Sequence, residues 1–399
     1  MKKVMFIAAL MLMGVCQNLL AQTNESDYSL KGLAKLLVTE KFNAYDFNNG
    51  IAKVHKEIDG KIKYGLINKQ GKIILPCIYS RIGSFSDGLI AIKDANYKCG
   101  YADIEGNVVV PCQFNEVGYY SEGLGRVTKG DSCAYINNKG EVVIPYFLAY
   151  SADPFKNGIA AIEKYKRQTY FIDKQGNVVI PQRDYRCYGL TPEGLYIVRS
   201  KESSRYGLMD KNGTMVVPMK YYRMENSSEG LFAVGEFVRG SSSDKYGFID
   251  SKGVVRIPLQ FEYAESFSEG MAAVKIGGKW GFINKTGQIL IPCKYERAQK
   301  FCDGLAAVCA NGKWGFVNMN GDLVIACQYD RCEDFHEGYA VVKNGKQYAM
   351  IDKQGQYFIQ FGVADFISSF SDGLAQLKMR GIDGYTDKNL NSTFDYLKR

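Results

Sequence analysis

Short apolar segments, separated by glycine and polar turns, alternate along almost the whole chain. In one clear unit the apolar segments are Leu305–Val308, Trp314–Asn318 and Asp322–Ile325. Each is rich in β-branched or aromatic residues, and each is too short and too often interrupted by glycine to form a helix. The pattern therefore predicts three β-strands in this unit.

The same unit recurs along the chain, and one glycine marks its position in every copy. The intervals between these glycines run from 34 to 40 residues. The recurring glycines are Gly50, Gly88, Gly123, Gly158, Gly194, Gly230, Gly270, Gly304, Gly338 and Gly373. The sequence thus contains about nine and a half copies of a unit of roughly 35 residues, starting near Phe47 and ending near Ser392.

A tight turn is predicted between the second and third segments of each copy. Asn or Asp begins the turn and Gly usually follows three residues later, as in Asn284 and Gly287. An Asx side chain accepts backbone hydrogen bonds at the start of a turn, and Gly adopts the left-handed conformation at its end. Pro follows five residues after that Gly in seven copies, as at Pro292, where it should end the third strand or face an unpaired edge.

These motifs resemble the WG (or KWG) repeat family of bacteria. The resemblance rests on Phe-x-[Asp/Glu]-Gly-Leu-Ala-x-Val, then Lys-Trp-Gly-[Phe/Tyr]-Ile-[Asn/Asp]-x-x-Gly, then Val-Val-Ile-Pro. Only Trp280 and Trp314 keep the tryptophan of the motif, and the copies around Gly158 and Gly194 depart furthest from it. The resemblance implies modules that bind a partner, without identifying the ligand.

The repeats predict an all-β protein, for which two architectures are open. One is an open superhelical array of stacked β-hairpin or three-strand repeats, and the other is closure into a β-propeller. Propeller blades usually have four strands in about 40 residues, and a ring typically has 4–8 blades. Because this unit is shorter and recurs more often, the sequence favours the open array.

The N-terminus has the features of a secretory signal. Lys2 and Lys3 precede an apolar stretch, Val4 to Val15, which is too short to span a bilayer comfortably, and Ala21 offers a cleavage site before Gln22. The predicted domains are a signal peptide (1–21), a leader or N-terminal cap (22–46), the repeats (47–392) and a C-terminal tail (393–399). We therefore expect export to the bacterial periplasm or cell surface, with no transmembrane span.

The net charge of +8 is spread along the chain and favours solubility rather than nucleic-acid binding. Ten cysteines follow the predicted signal peptide. Four of them, Cys77, Cys112, Cys293 and Cys327, share one repeat position, which favours a buried packing site but leaves disulfides open.

No catalytic, cofactor or metal motif is recognisable in the sequence. His55 and His336 are the only histidines, neither lies in a triad pattern, and no Cys-x-x-Cys pair occurs. We therefore expect a protein that is not an enzyme and has no cofactor.

Two periodic rows are candidates for binding. Acidic residues precede the recurrent glycine, which fits turn chemistry or a cation-binding stripe, and aromatic residues recur at fixed positions, which fits core packing or a stacking surface. The acidic row consists of Asp87, Glu122, Glu193, Glu229, Glu269, Asp303, Glu337 and Asp372. Among the aromatic residues, the better binding candidates are those of a tryptophan–tyrosine column. The candidate binding surface in that column is Trp280, Trp314, Tyr64, Tyr206, Tyr246 and Tyr348.

The predicted function is an exported, non-enzymatic scaffold for protein–protein interaction in the bacterial cell envelope. The alternative is a module that binds carbohydrate or cell wall, since tyrosine-rich repeats and export fit both. The partner is expected to be an envelope protein or a glycan.

Overall fold

The structure is a computed structural model that describes residues 34, 37, 42–164, 168–237 and 244–393. The described residues form ten antiparallel β-sheets in succession, nine with four strands and the last with three. We call each sheet a blade and its strands A to D in chain order. The predicted signal peptide lies outside the described residues.

The first five blades occupy the N-terminal half of the repeats. Their strands are β1 (Asn43–Asn48), β2 (Ile51–Ile58), β3 (Lys61–Asn68) and β4 (Ile73–Tyr79) in blade 1; β5 (Arg81–Ser86), β6 (Leu89–Lys93), β7 (Cys99–Asp103) and β8 (Val108–Phe114) in blade 2; β9 (Glu116–Ser121), β10 (Leu124–Lys129), β11 (Ser132–Ile136) and β12 (Val142–Leu148) in blade 3; β13 (Ser151–Ala152), β14 (Ile159–Glu163), β15 (Thr169–Asp173) and β16 (Val178–Arg183) in blade 4; and β17 (Tyr185–Leu190), β18 (Tyr196–Ser200), β19 (Tyr206–Met209) and β20 (Met215–Tyr221) in blade 5.

The other five blades follow the same order. Their strands are β21 (Arg223–Met224), β22 (Leu231–Glu236), β23 (Lys245–Asp250) and β24 (Val255–Phe261) in blade 6; β25 (Tyr263–Ala264), β26 (Met271–Ile276), β27 (Lys279–Asn284) and β28 (Ile289–Tyr295) in blade 7; β29 (Arg297–Cys302), β30 (Leu305–Ala310), β31 (Lys313–Asn318) and β32 (Leu323–Tyr329) in blade 8; β33 (Arg331–Cys332), β34 (Tyr339–Asn344), β35 (Gln347–Asp352) and β36 (Tyr357–Ile359) in blade 9; and β37 (Phe366–Ile367), β38 (Leu374–Met379) and β39 (Ile382–Asp387) in blade 10.

The turn between strands C and D forms as the sequence predicts. In blade 7 the Asn284 Oδ1 accepts hydrogen bonds from the backbone N–H groups of Thr286 and Gln288, both at 3.0 Å. Gly287 has a φ of 83°, which is the left-handed conformation that glycine adopts without a steric penalty. The recurrent glycine lies in the other tight turn, between strands A and B, where the acid before it also has a positive φ in seven blades. Two successive residues with positive φ are typical of a type I′ hairpin turn.

The glycine of the Trp-Gly pair is explained by a bulge in strand D. In blade 6, Tyr246 pairs with Phe261 and Phe248 with Ile257, so strand D advances four residues while strand C advances two. A Cβ on Gly247 would lie 2.6 Å from the Ile257 carbonyl oxygen, which leaves no room for a side chain. In blades 3 and 4 strand D advances only three residues, and the same position is occupied by Ala134 and Tyr170.

The recurrent proline lies in this bulge, within the edge strand of the blade. Pro292, for example, directly follows Ile291, which is the last paired residue before strand D bulges. Since proline has no N–H to donate, a bulge on an edge strand is one of the few sheet positions that it fits. The expectation of an unpaired edge is confirmed, whereas the proline does not end the strand.

Neighbouring blades meet at seams that are filled by aromatic rings. In the commonest arrangement a phenylalanine three residues before the recurrent glycine, in strand A or directly after it, packs on an aromatic ring in strand C of the preceding blade. We call it the strand A phenylalanine. Phe301 packs in this way on Phe282, with 4.9 Å between ring centroids, and both rings are fully buried. Such rings bury large apolar areas and prefer edge-to-face or offset contacts. The predicted core role of the phenylalanine row is thus seen directly.

Blade 10 packs against blade 1 with the same contacts that join consecutive blades. The Tyr385 ring lies 5.0 Å from that of Phe47, and its hydroxyl donates a 2.6 Å hydrogen bond to the Tyr45 carbonyl oxygen. At the seam between blades 2 and 3, the Tyr101 hydroxyl likewise donates a 2.6 Å hydrogen bond to the Gly118 carbonyl oxygen. The ten blades therefore close into a ring, which is the architecture of a β-propeller.

Two details of the predicted fold are corrected by this structure. The all-β tandem repeats are confirmed, but the array is closed rather than open, because residues more than 300 positions apart form an ordinary seam. Most blades also have a fourth strand, strand A, which the sequence pattern did not separate from the preceding loop. Several of these strands contain only two residues, as in Tyr263–Ala264, so alternation is too short to detect.

The ten cysteines in the described residues are all free thiols. The cysteines that share one repeat position lie in the strand D bulge and face strand B. The Cys327 Sγ, for example, lies 3.7 Å from the Val308 carbonyl oxygen. These residues fill space beneath the bulge, as expected for a small apolar side chain.

Candidate functional site

The acidic row forms hydrogen bonds between the A–B turns of neighbouring blades. At seven seams the acid of one blade accepts a hydrogen bond from the recurrent glycine N–H of the next blade, with oxygen–nitrogen distances of 2.7–3.3 Å. The pairs are Asp87–Gly123, Glu122–Gly158, Glu229–Gly270, Glu269–Gly304, Asp303–Gly338, Glu337–Gly373 and Asp372–Gly50. We call this contact the carboxylate latch. It assigns these acids a structural role between blades, in addition to turn formation.

Lysines from the C–D turns reinforce some of the latches. The Lys285 Nζ lies 2.9 Å from the Glu229 carboxylate, and Lys174 lies 3.0 Å from that of Glu122. Partial burial raises the pKa of both carboxyls, but hydrogen bonds from the lysine and from the glycine N–H outweigh it and hold both pKa values below their ordinary value. The latch carboxylates are therefore held in the charged form that accepts these bonds.

Blades 5 and 6 depart from the regular seam. Thr191 and Ser227 occupy the position where most blades have the strand A phenylalanine. In compensation, Tyr196 and Phe232 occupy a strand B position that is alanine in blades 7 to 10. Tyr196 packs on Phe171 of blade 4 at 5.0 Å, so the ring that fills the seam has moved from strand A to strand B.

The latch changes in the same sector. Asn157 takes the place of the acid in blade 4, and the Gly194 N–H instead donates to the Thr191 carbonyl oxygen within its own turn, at 2.9 Å. Glu193 accepts a 2.6 Å hydrogen bond from the Ser227 hydroxyl rather than from a glycine. The seams on both sides of blade 5 are thus built differently from the others.

Two clefts lie at these two seams. The first, of about 160 Å³, lies between blades 4 and 5 and is lined by Ser151, Asp153, Ala161, Glu163, Thr169, Arg186, Cys187 and Tyr188. The second, of about 240 Å³, lies between blades 5 and 6 and is lined by Tyr188, Ile197, Tyr206, Arg223, Met224, Glu225 and Asn226. Tyr188 lines both clefts and so connects them.

The first cleft contains a long ion pair between two buried polar atoms. The Glu163 Oε1 and the Arg186 Nε lie 3.7 Å apart, and neither atom has a hydrogen-bond partner within the described part of the chain. The hydrogen-bonding capacity of both atoms is therefore open to a ligand that enters the cleft.

The second cleft is bordered by tyrosines and arginines that contact one another. We call Tyr188, Tyr206, Tyr222, Arg199, Arg205 and Arg223 the Arg–Tyr cluster. The Arg199 guanidinium lies over the Tyr206 ring at 5.3 Å, and those of Arg205 and Arg223 lie over Tyr222 at 5.6 and 5.5 Å. Tyr188 packs beside Tyr206 with 5.4 Å between centroids, and its side chain is 47% exposed.

The hydroxyl of Tyr188 lies in a positive environment. Arg199 Nη1 is 3.5 Å from it, and the positive charge of Arg186 also acts on it. Partial burial raises the pKa of Tyr188, but the two guanidiniums outweigh this effect and hold it below its ordinary value. An environment that stabilises a phenolate also favours other oxyanions.

The six aromatics predicted as a binding surface lie at one strand C position and are distributed around the ring. Only Tyr206 belongs to the Arg–Tyr cluster. Tyr246 is buried, and Tyr64, Trp280, Trp314 and Tyr348 are half-buried. Tyr263 connects two of the six across one seam, with its ring 4.8 Å from Tyr246 and 5.7 Å from Trp280.

The two histidines lie away from the clefts. His55 is in blade 1 between the rings of Tyr45 and Tyr64, at 5.4 and 5.7 Å, and burial lowers its pKa. His336 lies in the A–B turn of blade 9, where its backbone N–H bonds to the Tyr339 carbonyl oxygen. Neither histidine lines either cleft.

Within the described residues, no group of three or more His, Cys, Asp or Glu side chains is arranged to hold a metal ion. The same residues contain no helix with the length and apolar character needed to cross a membrane.

Most residues of the Arg–Tyr cluster were not singled out from the sequence. The available signal was the loss of the repeat pattern around Gly194, combined with arginines close together at 183, 186, 199 and 205. The contacts among these residues depend on the hairpin register and on the geometry of the seam, and neither can be read from the spacing of residues along the chain.

Comparison with known proteins shows which family shares these repeats. The profile of the WG containing repeat matches residues 64–99, 100–133, 134–167, 206–235, 246–280, 280–314, 314–348 and 348–381, which is more than half of the chain. The widest interval between matched segments, 168–205, contains Arg186, Tyr188 and Arg199. No curated protein matches the chain.

Three solved structures are distantly similar. The extracellular domain of a putative hybrid two-component system from B. thetaiotaomicron has 10% identity and a TM-score of 0.30, over 88% of this chain and 64% of that one. The tricorn protease has 13% identity and a TM-score of 0.26, over 88% and 44%, and Hsv2 of Kluyveromyces lactis has 7% and 0.29, over 71% and 98%. This chain thus spans less than two thirds of the length of the first two, and similarity this low indicates no shared function.

Proposed function

The chain belongs to the WG containing repeat family, and from that premise we propose that it is a non-enzymatic interaction scaffold that binds a partner at blades 4 to 6. The observation that carries the proposal is that both clefts lie at the seams where the repeat pattern is lost. The residues of a regular seam are accounted for by the packing that closes the ring. Where residues differ from the repeat pattern and the seam is still packed, the changed residues can be used for binding.

The chemistry of the clefts supports binding rather than catalysis. Tyr188, Tyr206 and Arg223 surround the second cleft, and tyrosine and arginine are enriched among the residues that contribute most to protein interfaces. The clefts hold about 160 and 240 Å³, whereas pockets for small molecules usually have about 300–1,000 Å³. They are suited to side chains that anchor a larger partner.

Affinity capture tests this proposal. The bait is the chain from Gln22, compared with a Tyr188→Ala/Tyr206→Ala variant and with a Trp280→Ala/Trp314→Ala variant from the regular blades, all with folding verified by circular dichroism. We expect one protein from an envelope extract to be retained by the parent chain and by the tryptophan variant, and lost with the tyrosine variant. Loss only with the tryptophan variant would instead place the site on the strand C column.

Binding of carbohydrate is the second candidate. It is favoured by the exposed faces of Tyr188 and Tyr222, 47% and 41% exposed, beside a polar cleft. Retention of glycan or peptidoglycan fragments without any protein, again lost with the tyrosine variant, would support it.

Export completes the proposal, with the partner in the periplasm or at the cell surface of a bacterium. It rests on the basic, apolar and small-residue regions of segment 1–21. N-terminal sequencing of the protein from its native host is expected to find Gln22 first. A chain that retains Met1 in the cytoplasm would contradict export and leave the binding site untouched.

A further inference from the structure

We propose that the Arg–Tyr cluster binds an acidic segment of a partner protein, with carboxylate side chains received by Arg199, Arg205 and Arg223. This inference rests on the proposed scaffold function and specifies the chemistry of its partner.

The first argument is that these three guanidiniums lack a carboxylate. Within the described residues no Asp or Glu oxygen lies within 4.0 Å of them, whereas Arg256 in blade 6 lies 2.6 Å from the Asp250 carboxylate. Arginine presents planar N–H donors that match a carboxylate in bidentate fashion. Glu225 is the only acidic residue that lines the second cleft, so the three guanidiniums at this seam leave an excess of donors for an oxyanion.

The second argument is that tyrosine rings already orient these side chains. Each guanidinium lies 5.3–5.6 Å from a ring centroid, and Arg199 Nε also donates a 3.1 Å hydrogen bond to the Ser204 carbonyl oxygen. Stacking on a ring leaves the in-plane donors directed outwards. Because these side chains are held before the partner arrives, binding loses less conformational entropy.

The third argument favours a polypeptide as the occupant. Phe237, 54% exposed, lies 6.5 Å from Tyr222, and Met224 and Ile197 line the second cleft. Tyr, Phe, Met and Arg together are the composition of a protein–protein interface core. An acidic segment with an occasional aromatic or aliphatic side chain would satisfy both the guanidiniums and this apolar surface.

Register-matched residues elsewhere in the ring provide the control. Arg297 in blade 8 occupies the strand A position of Arg223, and Lys275 in blade 7 occupies the strand B position of Arg199. A Lys275→Ala/Arg297→Ala variant loses the same net charge as Arg199→Ala/Arg223→Ala, but from a regular sector. An Arg199→Lys/Arg223→Lys variant keeps the charge and removes the planar donors.

The experiment measures binding of a fluorescent random Glu–Tyr copolymer to the full chain by anisotropy, with a Lys–Tyr copolymer and polygalacturonate as comparison probes. We expect the Glu–Tyr copolymer to bind, and to bind more weakly as salt is raised from 50 to 500 mM. Affinity should fall at least about tenfold in Arg199→Ala/Arg223→Ala, partly in the lysine variant, and less than about twofold in the control.

Three outcomes would overturn the inference. The chain could show no preference for the Glu–Tyr over the Lys–Tyr copolymer, or the arginine and control variants could lose the same affinity. Tight binding of polygalacturonate alone would identify an acidic glycan as the ligand. The thermal midpoint of each variant shows whether it has folded. If affinity capture finds a partner whose binding requires Tyr188 and Tyr206 but not the arginines, the scaffold function is supported and the inference of an acidic segment is wrong.

Discussion

Blades 7 to 9 and blades 4 to 6 solve the same packing problem in two ways. In the regular sector a strand A phenylalanine such as Phe301 fills the seam opposite a strand B alanine, and a carboxylate latch joins the turns. At blades 5 and 6 the aromatic ring lies on strand B, as Tyr196 or Phe232. The comparison shows that a seam requires a ring of a given volume and does not require it on a particular strand. Strand A of blade 5 still packs through Tyr185, which is buried, whereas Tyr188 on the same strand is exposed.

The strongest test of this comparison removes the ring from each kind of seam. Phe301→Ala and Tyr196→Ala should each reduce the free energy of unfolding by about 3–5 kcal/mol, because both leave a large cavity in a buried contact. Urea denaturation followed by fluorescence measures both losses. A loss below about 1 kcal/mol for Tyr196→Ala would show that Tyr196 does not replace the missing phenylalanine.

The next test concerns the strand D bulge, which is wider in blade 6 than in blade 3. Gly247→Ala should cost about 1–3 kcal/mol, because the new methyl group would press on the Ile257 carbonyl oxygen. Ala134→Gly, at the same position in the narrower bulge, should cost only about 0.5–1 kcal/mol through added backbone freedom. Urea midpoints in the reverse order would disprove the link between bulge width and glycine.

A third test compares the closing seam with an interior seam. Tyr385→Phe and Tyr101→Phe each remove one hydroxyl that bonds to a carbonyl oxygen of the neighbouring blade. Each should lower stability by about 1 kcal/mol, the usual net contribution of one hydrogen bond. Thermal unfolding of both variants checks this, and an effect of Tyr101→Phe without any effect of Tyr385→Phe would argue against closure.

The smallest expected effect is the pH dependence of the latches. Glu122 and Glu229 have folded pKa values below the ordinary 4.5, so their contribution is fully present above the unfolded pKa and is lost as pH falls through the folded pKa. Acidification from pH 5 to pH 3 should therefore lower the melting temperature more in the parent chain than in Glu229→Gln, by about 1–2 °C. Equal pH dependence in both proteins would show that this latch contributes no measurable stability.

The sequence predicted the local features that repeat at fixed spacing. The Asx turn at Asn284 and Gly287 formed as expected, because it depends on only five consecutive residues. Ring closure could not be predicted in the same way. The repeat pattern of the first and last copies would be the same whether the last blade packed on the first or faced solvent. The contact between Asp372 and Gly50 forms only because the rotations from one sheet to the next, added over ten sheets, bring the last blade back to the first.

The candidate site was partly visible for a similar reason. Tyr206 belonged to an aromatic column and was selected, whereas Arg199 and Arg223 were not, because basic residues such as Lys275 and Arg297 occupy the same positions in regular blades. Periodicity detects what every blade shares, and a binding site on a repeat protein is expected where a blade differs. The departure around Gly194 was noticed, but its chemistry became apparent only when strands A and C of blade 5 were placed side by side.

The seam between blades 10 and 1 has a further consequence for how the chain could be divided. Tyr385 and Asp372 make there the contacts that Tyr101 and Asp87 make between blades joined by a peptide link. Side-chain complementarity alone is thus enough to hold two blades edge to edge. A regular connecting segment, such as the one at Glu296 between β28 and β29, could be cut and the two fragments expressed as separate chains that reassemble into one ring.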